Sequence, residues 1–264
     1  MFLRYSYTTL ISFSAKVTDH AFALRCLPMQ GLGQRTIWQR LTVLPACPVS
    51  TSVDAFGNAV SSGYLGRRHD LFAYEASGVV ETTDEVRADV PEPFYAHPSP
   101  LTTPSEGLAQ LAASLGSPSE DPLQWVNSLM DCLAGRMSYQ PGATSVDTTA
   151  AQALEFGCGV CQDFAHIAVA LCRLAGLPAR YVCGFMEGEG ASHAWVEVFT
   201  GTRWLPFDPT NHRLIGSQYI KVAHGRDFDD CSISRGVFRG VATQSVSVSV
   251  DVWQVSPSEA DNHP

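Results

Sequence analysis

Positive charge and long apolar runs are both scarce in this sequence. Lys and Arg together number 17 against 26 Asp and Glu, which gives a formal net charge of −9 at neutral pH. Nucleic acids and anionic membranes both favour clustered cations, so this balance argues against either as a partner. No apolar run is long enough to cross a bilayer, and the first residues alternate apolar and polar. We therefore expect a cytoplasmic protein that does not contact membranes.

Cysteine is present, but not in the pattern of a disulfide framework or a metal site. The eight cysteines are scattered, and we expect most of them to be buried free thiols in a reducing cytoplasm. Cys158 and Cys161 share the C-x-x-C spacing of zinc and redox sites. A zinc site would add a second close Cys/His pair, and a thioredoxin-like site would add an N-terminal βαβ unit. Because the sequence contains neither, we predict no metal and no cofactor.

The N-terminal region is predicted to be all β. Hydrophobic residues make up 45% of the chain and charged residues 16%, which is typical of globular proteins. Up to about residue 90, short segments rich in β-branched and aromatic residues alternate with turn signals such as Gly31-Leu32-Gly33. Short strands at this spacing favour an antiparallel β-sandwich-like domain. The predicted strands are 5–13, 21–27, 36–44 and 79–82.

A proline-rich stretch at 91–104 separates this region from the rest of the chain. Proline lacks the backbone donor that strands and helices need, so the stretch is predicted to be a linker. We therefore divide the chain into an N-terminal β domain at 1–92, a second domain at 93–255 and a polar tail at 256–264. The tail is expected to be frayed.

Beyond this linker the hydrophobic period changes from that of strands to that of helices. Helices are predicted at 107–115, 123–133 and 161–175. The last of them is closed by Gly176-Leu177-Pro178, a strong helix stop. Four further segments have the composition of strands. They are 179–185, 193–199, 203–207 and 245–252.

Cys161 lies where the third predicted helix begins. A helix N-terminus offers free N–H groups and a partial positive charge, which favour the reactive thiolate over the thiol. Gly157 and Gly159 permit a tight turn and the close approach of a substrate backbone. The backbone N–H of Cys161 would then form half of an oxyanion hole. Taken alone, the residue also fits an ordinary buried thiol.

His193 and Asp208 are predicted to face each other across a hairpin. A two-residue loop at 200–201, or a four-residue loop at 199–202, places the two residues directly opposite, with Cβ atoms roughly 4.5–5.5 Å apart. A carboxylate at that distance can bind an imidazole. A polar cross-strand pair without catalytic meaning would have the same pattern. With Cys161 upstream, however, the chain contains the thiol, imidazole and carboxylate that nucleophilic acyl transfer needs.

Four blocks of the sequence resemble the transglutaminase-like superfamily in its bacterial branch. Later segments at 225–230 and 235–240 also resemble that branch, and the N-terminal segments 24–28 and 54–58 resemble its N-terminal β domain more loosely. Four blocks in the right order are far more specific than any one of them. The blocks are 159–166 (GVCQDFAH), 176–185 (GLPARYVCGF), 192–199 (SHAWVEVF) and 204–211 (WLPFDPTN).

The resemblance implies an α+β fold with a papain-like transglutaminase core, in which the nucleophile helix packs on an antiparallel sheet. The antiparallel β-sandwich-like domain precedes this core in the chain. It assigns Cys161 as the nucleophile and His193 as general base and then acid. Asp208 is the group that orients the imidazole. The backbone of Cys161, together with Trp195 and Asn211, is expected to support the oxyanion and the triad.

The resemblance also raises the question of calcium and of a second oxyanion donor. Animal transglutaminases use calcium, and Asp227, Asp229 and Asp230 form an acidic cluster. This cluster lacks the glycine and the terminal glutamate of an EF-hand loop, so a solvated loop is expected instead. Trp125 is one candidate for the second oxyanion donor.

The resemblance leaves the reaction open among three hypotheses. The leading one is a cysteine peptidase or amidase that acts on a peptide or protein substrate through a thioester. A protein-glutamine transglutaminase or deamidase would use the same three residues. A binding module that keeps the fold without turnover is the third hypothesis, and it predicts an unreactive Cys161.

Overall fold

The computed structural model describes residues 1–31, 33–85, 88–118 and 121–261. Leu32, in one predicted turn, and residues 262–264 of the predicted tail lie outside the described residues. Fifteen strands are present within the described ranges. They are β1 (Phe2–Leu24), β2 (Gln34–Leu44), β3 (Val49–Val53), β4 (Ala59–Leu65), β5 (His69–Thr82), β6 (Ser138–Tyr139), β7 (Cys158–Gly159), β8 (Ala179–Met186), β9 (Gly188–Gly190), β10 (His193–Phe199), β11 (Trp204–Asp208), β12 (Arg213–Leu214), β13 (Tyr219–Gly225), β14 (Ser234–Arg239) and β15 (Gln244–Val255).

Six α-helices lie in the same ranges, and three of them, α1, α2 and α4, confirm the three predicted helices. Within the described part of the chain, no helix has the length and apolarity needed to span a membrane. The helices are α1 (Glu106–Ser114), α2 (Pro122–Arg136), α3 (Ala150–Phe156), α4 (Cys161–Leu174), α5 (Phe228–Cys231) and α6 (Pro257–Ala260).

The first strand, β1, is the axis of an eight-stranded sheet. Its first half pairs with β5 and β15, and its second half pairs with β4 and β14. The pairing with β5 shifts between Ser12 and Val17, and Asp19 has a φ of 50°. Such a bulge bends a strand, and the sheet curls here. The separate strands predicted at 5–13 and 21–27 are therefore wrong, because the bulge lets one strand continue through both.

Strands from the C-terminal half complete this N-terminal sheet. β15 lies beside β1 along its first half, β9 pairs with β15, and β14 pairs with the second half of β1. The two ends of the chain thus share one sheet. The division of the chain at residues 92 and 93 stays a prediction.

The second sheet has the order β12-β11-β10-β8-β13, and the pairs within it are antiparallel. α4 packs against β10 and β8. Ala194, Val196 and Val198 of β10 lie in the same apolar core as α4, whereas Trp195 lies in a separate cluster with Tyr219 on the other face. The predicted α+β fold, with a helix packed on an antiparallel sheet, is confirmed.

The proline-rich stretch is packed against the core. It contains two 3₁₀ turns, Pro93–Ala96 and Pro100–Thr102, and Tyr95 is buried. The buried guanidinium of Arg173 donates to Tyr95 O at 3.0 Å and to Thr102 Oγ1 at 2.7 Å. As expected from its prolines, the segment contains no long helix or strand. Its hydrogen bonds with the buried Arg173 nevertheless hold it against the core.

The expectation of a frayed tail is wrong up to residue 261. The short helix α6 follows β15 directly, and Ala260 is buried. Trp38 Nε1 donates to Ala260 O at 3.2 Å, and Arg4 donates to Glu259 O at 2.7 Å. These long-range contacts were not visible in the local composition of the segment.

Candidate active site

The N-terminus of α4 positions the predicted nucleophile. α3 ends at Phe156 and is capped by Gly157, which has a φ of 65°, and the chain then passes through β7 before α4 begins at Cys161. A positive φ favours glycine, which explains that residue. Cys161 is half-buried at the first helical position, where backbone N–H groups are free of helical partners.

Asp163 holds this helix start in place. Its carboxylate is buried and accepts hydrogen bonds from Val160 N and Thr144 Oγ1, both at 2.7 Å. The same carboxylate lies over Gly159, where a Cβ atom would meet Asp163 Oδ2 at 2.4 Å. Glycine is therefore required at 159 by the cap that fixes the cysteine.

Replacing this cap should loosen the helix start. Asp163→Ala removes the acceptor of two hydrogen bonds at a buried helix terminus, so we expect the free energy of unfolding to fall by about 1–3 kcal/mol. Urea denaturation followed by circular dichroism measures the change. Asp163→Asn, which keeps one side-chain oxygen, should lose less. Equal stability of Asp163→Ala and the unchanged protein would contradict the capping role.

The hairpin that carries His193 and Asp208 has a different register from the predicted one. Phe207 pairs with Val196, whereas the prediction paired it with Ala194. The connection is a four-residue loop at 200–203, closed by Thr200 N donating to Arg203 O at 2.9 Å. The shift is two residues, so every side chain stays on its predicted face. Asp208 is diagonal to His193 and not directly opposite it.

The diagonal arrangement still brings the two side chains into contact. His193 Nε2 lies 2.7 Å from Asp208 Oδ2. The carboxylate is fully buried, and it also accepts from Asn211 Nδ2 at 2.7 Å and Tyr219 OH at 2.8 Å. Its second oxygen accepts from the backbone of Thr210 and Asn211. Burial alone would raise the pKa of Asp208, but the hydrogen bonds from His193 and Asn211 hold it below its ordinary value.

His193 joins the carboxylate to the cysteine. Burial would lower the pKa of its imidazole, but hydrogen bonds with Asp208 and Cys161 outweigh burial and raise this pKa to about 9. Because Nε2 is bound to Asp208, Nδ1 is the ring nitrogen left for the thiol. The structure thus brings together all three residues predicted for the triad. Their catalytic roles stay predictions.

The raised pKa of His193 predicts a pH dependence of stability. The folded-state pKa of about 9 lies above the ordinary 6.5, so the protonated imidazole stabilises the fold fully below pH 6.5. That stabilisation is lost as the pH rises through about 9. We expect the melting temperature to fall more steeply between these pH values in the unchanged protein than in His193→Gln. Parallel curves for the two proteins would contradict the prediction.

The predicted supporting residues lie beside the imidazole. The ring of Trp195 stacks with His193 at 6.4 Å between centroids, and it occupies space that Gly184 leaves free. A Cβ on Gly184 would meet Trp195 Cη2 at 2.5 Å. Asn211 Nδ2 lies 3.4 Å from His193 Nε2 as well as binding Asp208. Both residues are near the imidazole, and Asn211 also binds the carboxylate, but their supporting role stays a prediction.

Two residues of the site, Tyr219 and Tyr139, were missed by sequence reasoning. Tyr219 donates to Asp208, accepts from Arg213 Nε at 2.9 Å, and contacts the His193 ring. Tyr139 of β6 is the strand-pairing partner of Gly159 in β7. The pKa of its phenol is raised by burial and by Cys161. No local pattern marks these residues, because each reaches the site through a strand pairing that is distant in sequence.

The remaining candidates have other roles. The indole N–H of Trp125 donates to Gly116 O at 3.1 Å, so the structure does not place it as an oxyanion donor. The acidic cluster is engaged with the protein itself. Asp227 caps α5, Asp229 binds Arg235, and Asp230 binds Arg226. In the described ranges, no group of three or more His, Cys, Asp or Glu side chains could hold a metal ion.

The fold and this site define a class of protein, and comparison with known proteins identifies the same class. Residues 109–209 match the model of the transglutaminase-like superfamily, and residues 3–81 match that of the bacterial transglutaminase-like N-terminal region. The chain belongs to the transglutaminase-like superfamily. This family and its fold support a cysteine-based hydrolase or transferase.

Relatives of similar length and a solved structure resemble the whole chain. The uncharacterized protein Rv2569c of Mycobacterium tuberculosis is 31% identical over 94% of this chain and 91% of its own length. The uncharacterized protein ML0607 of Mycobacterium leprae is 27% identical over 96% and 99%. A crystal structure of a proposed cysteine protease from Cytophaga hutchinsonii has a TM-score of 0.80 at 22% identity, covering 97% of this chain and 92% of that one. This last similarity concerns the fold.

Proposed function

We propose that the protein is a cysteine amide hydrolase that acts on a peptide or protein through a thioester intermediate. One observation carries the proposal. A half-buried cysteine at a helix N-terminus lies near enough to His193 to raise the pKa of its imidazole, and Nε2 of the same ring is bound to a fully buried carboxylate. Each group has the environment that its role in acyl transfer requires.

The proposed cycle has two steps. The thiolate of Cys161 attacks the amide carbonyl, and the backbone N–H of Cys161 stabilises the oxyanion. His193, as imidazolium, protonates the leaving amine while the C–N bond breaks and a thioester forms. In the second step, His193 removes a proton from water, which attacks the thioester. The C–S bond breaks, and the acid and the thiolate are released.

The rest of the site suits this cycle. Asp208 and Asn211 hold Nε2 of the His193 ring, which leaves Nδ1 to exchange the proton with the sulfur, the leaving amine and water. Tyr219 adds a further hydrogen bond to the buried carboxylate, whose pKa is held low by the hydrogen bonds from His193 and Asn211. Metal ions and cofactors have no part in the proposed steps. Location in the cytoplasm stays a prediction from the sequence.

Isotope labelling of products tests the proposal and separates it from its alternatives. The protein and its Cys161→Ala variant are incubated in H₂¹⁸O with a tryptic peptide mixture and a labelled primary amine, and the products are analysed by mass spectrometry. We expect ¹⁸O in newly formed peptide carboxylates, and none with the variant. ¹⁸O confined to Gln-derived Glu would indicate a deamidase. The amine attached to Gln would indicate a transglutaminase.

A protein without turnover would give none of these products, and thiol labelling then decides the matter. At mildly acidic pH, iodoacetamide alkylates thiolates and spares ordinary thiols. We expect a single adduct, located at Cys161 by peptide mapping, while the other seven cysteines are left unmodified. An unmodified Cys161 together with an absence of products would refute the enzyme proposal and leave a binding module.

A further inference from the structure

Arg180 is a buried cation with an unused donor. It lies on β8 opposite Glu197 of β10, and only 2% of its surface is exposed. Nε donates to Glu197, and the guanidinium carbon lies 3.9 Å from the centroid of the Trp204 ring. Among the described residues, Nη2 has no hydrogen-bond partner. Burying such a donor without an acceptor costs roughly 1–3 kcal/mol, and more when the group is charged.

Two cations share the one carboxylate at this place. Lys221 Nζ binds the same Glu197 oxygen at 2.7 Å. Burial would raise the pKa of Glu197, but Arg180 and Lys221 lower it to about 2. The carboxylate is therefore ionised at any physiological pH. One of its oxygens accepts hydrogen bonds from both the guanidinium of Arg180 and the ammonium group of Lys221. Within this cluster, Arg180 Nη2 is the donor that the carboxylate does not satisfy.

The three residues of the cluster line a cavity of about 110 Å³. The cavity is bounded on one side by the sheet face opposite α4 and on the other by residues 29–31, 33–34 and 83–85. Trp195, Trp204 and Ile215 form an apolar part of a lining that also contains polar and charged side chains. Trp195 also stacks on His193, so this cavity is directly behind the proposed catalytic histidine. Asp84 and Glu85 also border the cavity, but both are exposed, whereas the ion cluster of Arg180, Lys221 and Glu197 is its largely buried charged part.

We infer that this cavity binds a small organic carboxylate, with its carboxylate on Arg180 Nη2 and its aliphatic part between the tryptophan rings. A guanidinium recognises carboxylates with charge-assisted hydrogen bonds, and an apolar wall with few polar groups is typical of small-molecule sites. The carboxylate could belong to a free small acid or to the C-terminus of a peptide. The inference stands on contacts separate from Cys161, so it does not depend on the proposed hydrolase function.

Titration calorimetry of the full chain at neutral pH and constant ionic strength tests the inference. The probes are sodium butyrate, trialanine with a free C-terminus, trialanine amide and inorganic phosphate. We expect saturable binding of butyrate or free trialanine with a dissociation constant of about 1 mM or tighter, and quenching of tryptophan fluorescence on binding. Tight binding of butyrate alone would identify a free acid, and tight binding of free trialanine a peptide terminus.

Variants connect the binding to the cavity. Arg180→Lys keeps the charge but loses the planar fork, so we expect binding to weaken at least tenfold. Ile215→Trp fills the cavity without touching the ion cluster and should abolish binding even if Arg180→Lys folds poorly. Arg35→Met is the matched control, because Arg35 is an exposed cation paired with Glu81 and should leave binding unchanged. No saturable binding, binding unaffected by Ile215→Trp, or equal affinity for trialanine amide or phosphate would overturn the inference.

Discussion

Cys161→Ala is expected to reduce turnover of any amide substrate by at least about 10⁴-fold, because the variant has no atom that can form the acyl intermediate. The measurement is the rate of ¹⁸O incorporation into peptide carboxylates, or of a fluorogenic substrate once one is known. Removing one sulfur from a half-buried position should change the melting temperature little. The loss should therefore appear in turnover and not in folding.

Cys158→Ala is the matched control for this experiment. Cys158 is also half-buried and only three residues upstream, but it belongs to β7 and pairs with Ser138. We expect this variant to keep its activity and its iodoacetamide reactivity at Cys161. Loss of activity in Cys158→Ala, with activity retained in Cys161→Ala, would transfer the nucleophile to Cys158 and contradict the triad.

The start of α4 was predictable because its signals are local. The change of hydrophobic period at Cys161, the glycines before it and the Gly-Leu-Pro stop after it are all contained in one stretch of chain. Helix limits depend mainly on such neighbours. α3 was missed although Thr149 and Gln152 form a capping box, because a seven-residue helix has too few turns to establish a period.

The hairpin illustrates which part of a strand prediction is secure. Side-chain alternation fixed the faces of β10 and β11, so His193 and Asp208 were correctly predicted to share one face. The register depends on where the loop lies. With the observed loop at 200–203, the pairing moves by two residues from the predicted one, and each side chain keeps its face. The long side chains then closed the diagonal gap to 2.7 Å.

The rest of the site depends on distant pairings that no local pattern encodes. Tyr219 reaches Asp208 because β13 pairs with β8, and Tyr139 reaches Gly159 because β6 pairs with β7. The same holds for β15, whose alternating pattern predicted a strand but not its partner β1. Such contacts are between segments far apart in sequence, so only the assembled fold shows which residues surround the cysteine and histidine.

Asp208→Asn is expected to reduce the rate of acylation by about 10²–10⁴-fold, since an amide neither stabilises the imidazolium nor enforces the required tautomer. It should also change the pH profile. In the unchanged protein, His193 has a pKa of about 9, so the rate should fall above that pH as the acid that protonates the leaving amine is lost. Without the carboxylate, burial and the loss of its charge both lower this pKa, so the falling limb should move to lower pH.

Tyr219→Phe separates the effect of charge from that of orientation. It removes one hydrogen bond to Asp208 while His193 and Asn211 stay bound to the carboxylate. We expect a loss of less than about tenfold, with the falling limb of the rate still near pH 9. A falling limb that stays near pH 9 in Asp208→Asn would mean that another group holds the proton on His193. The carboxylate would then have only a structural role, because its charge would no longer govern the ionisation of the imidazole.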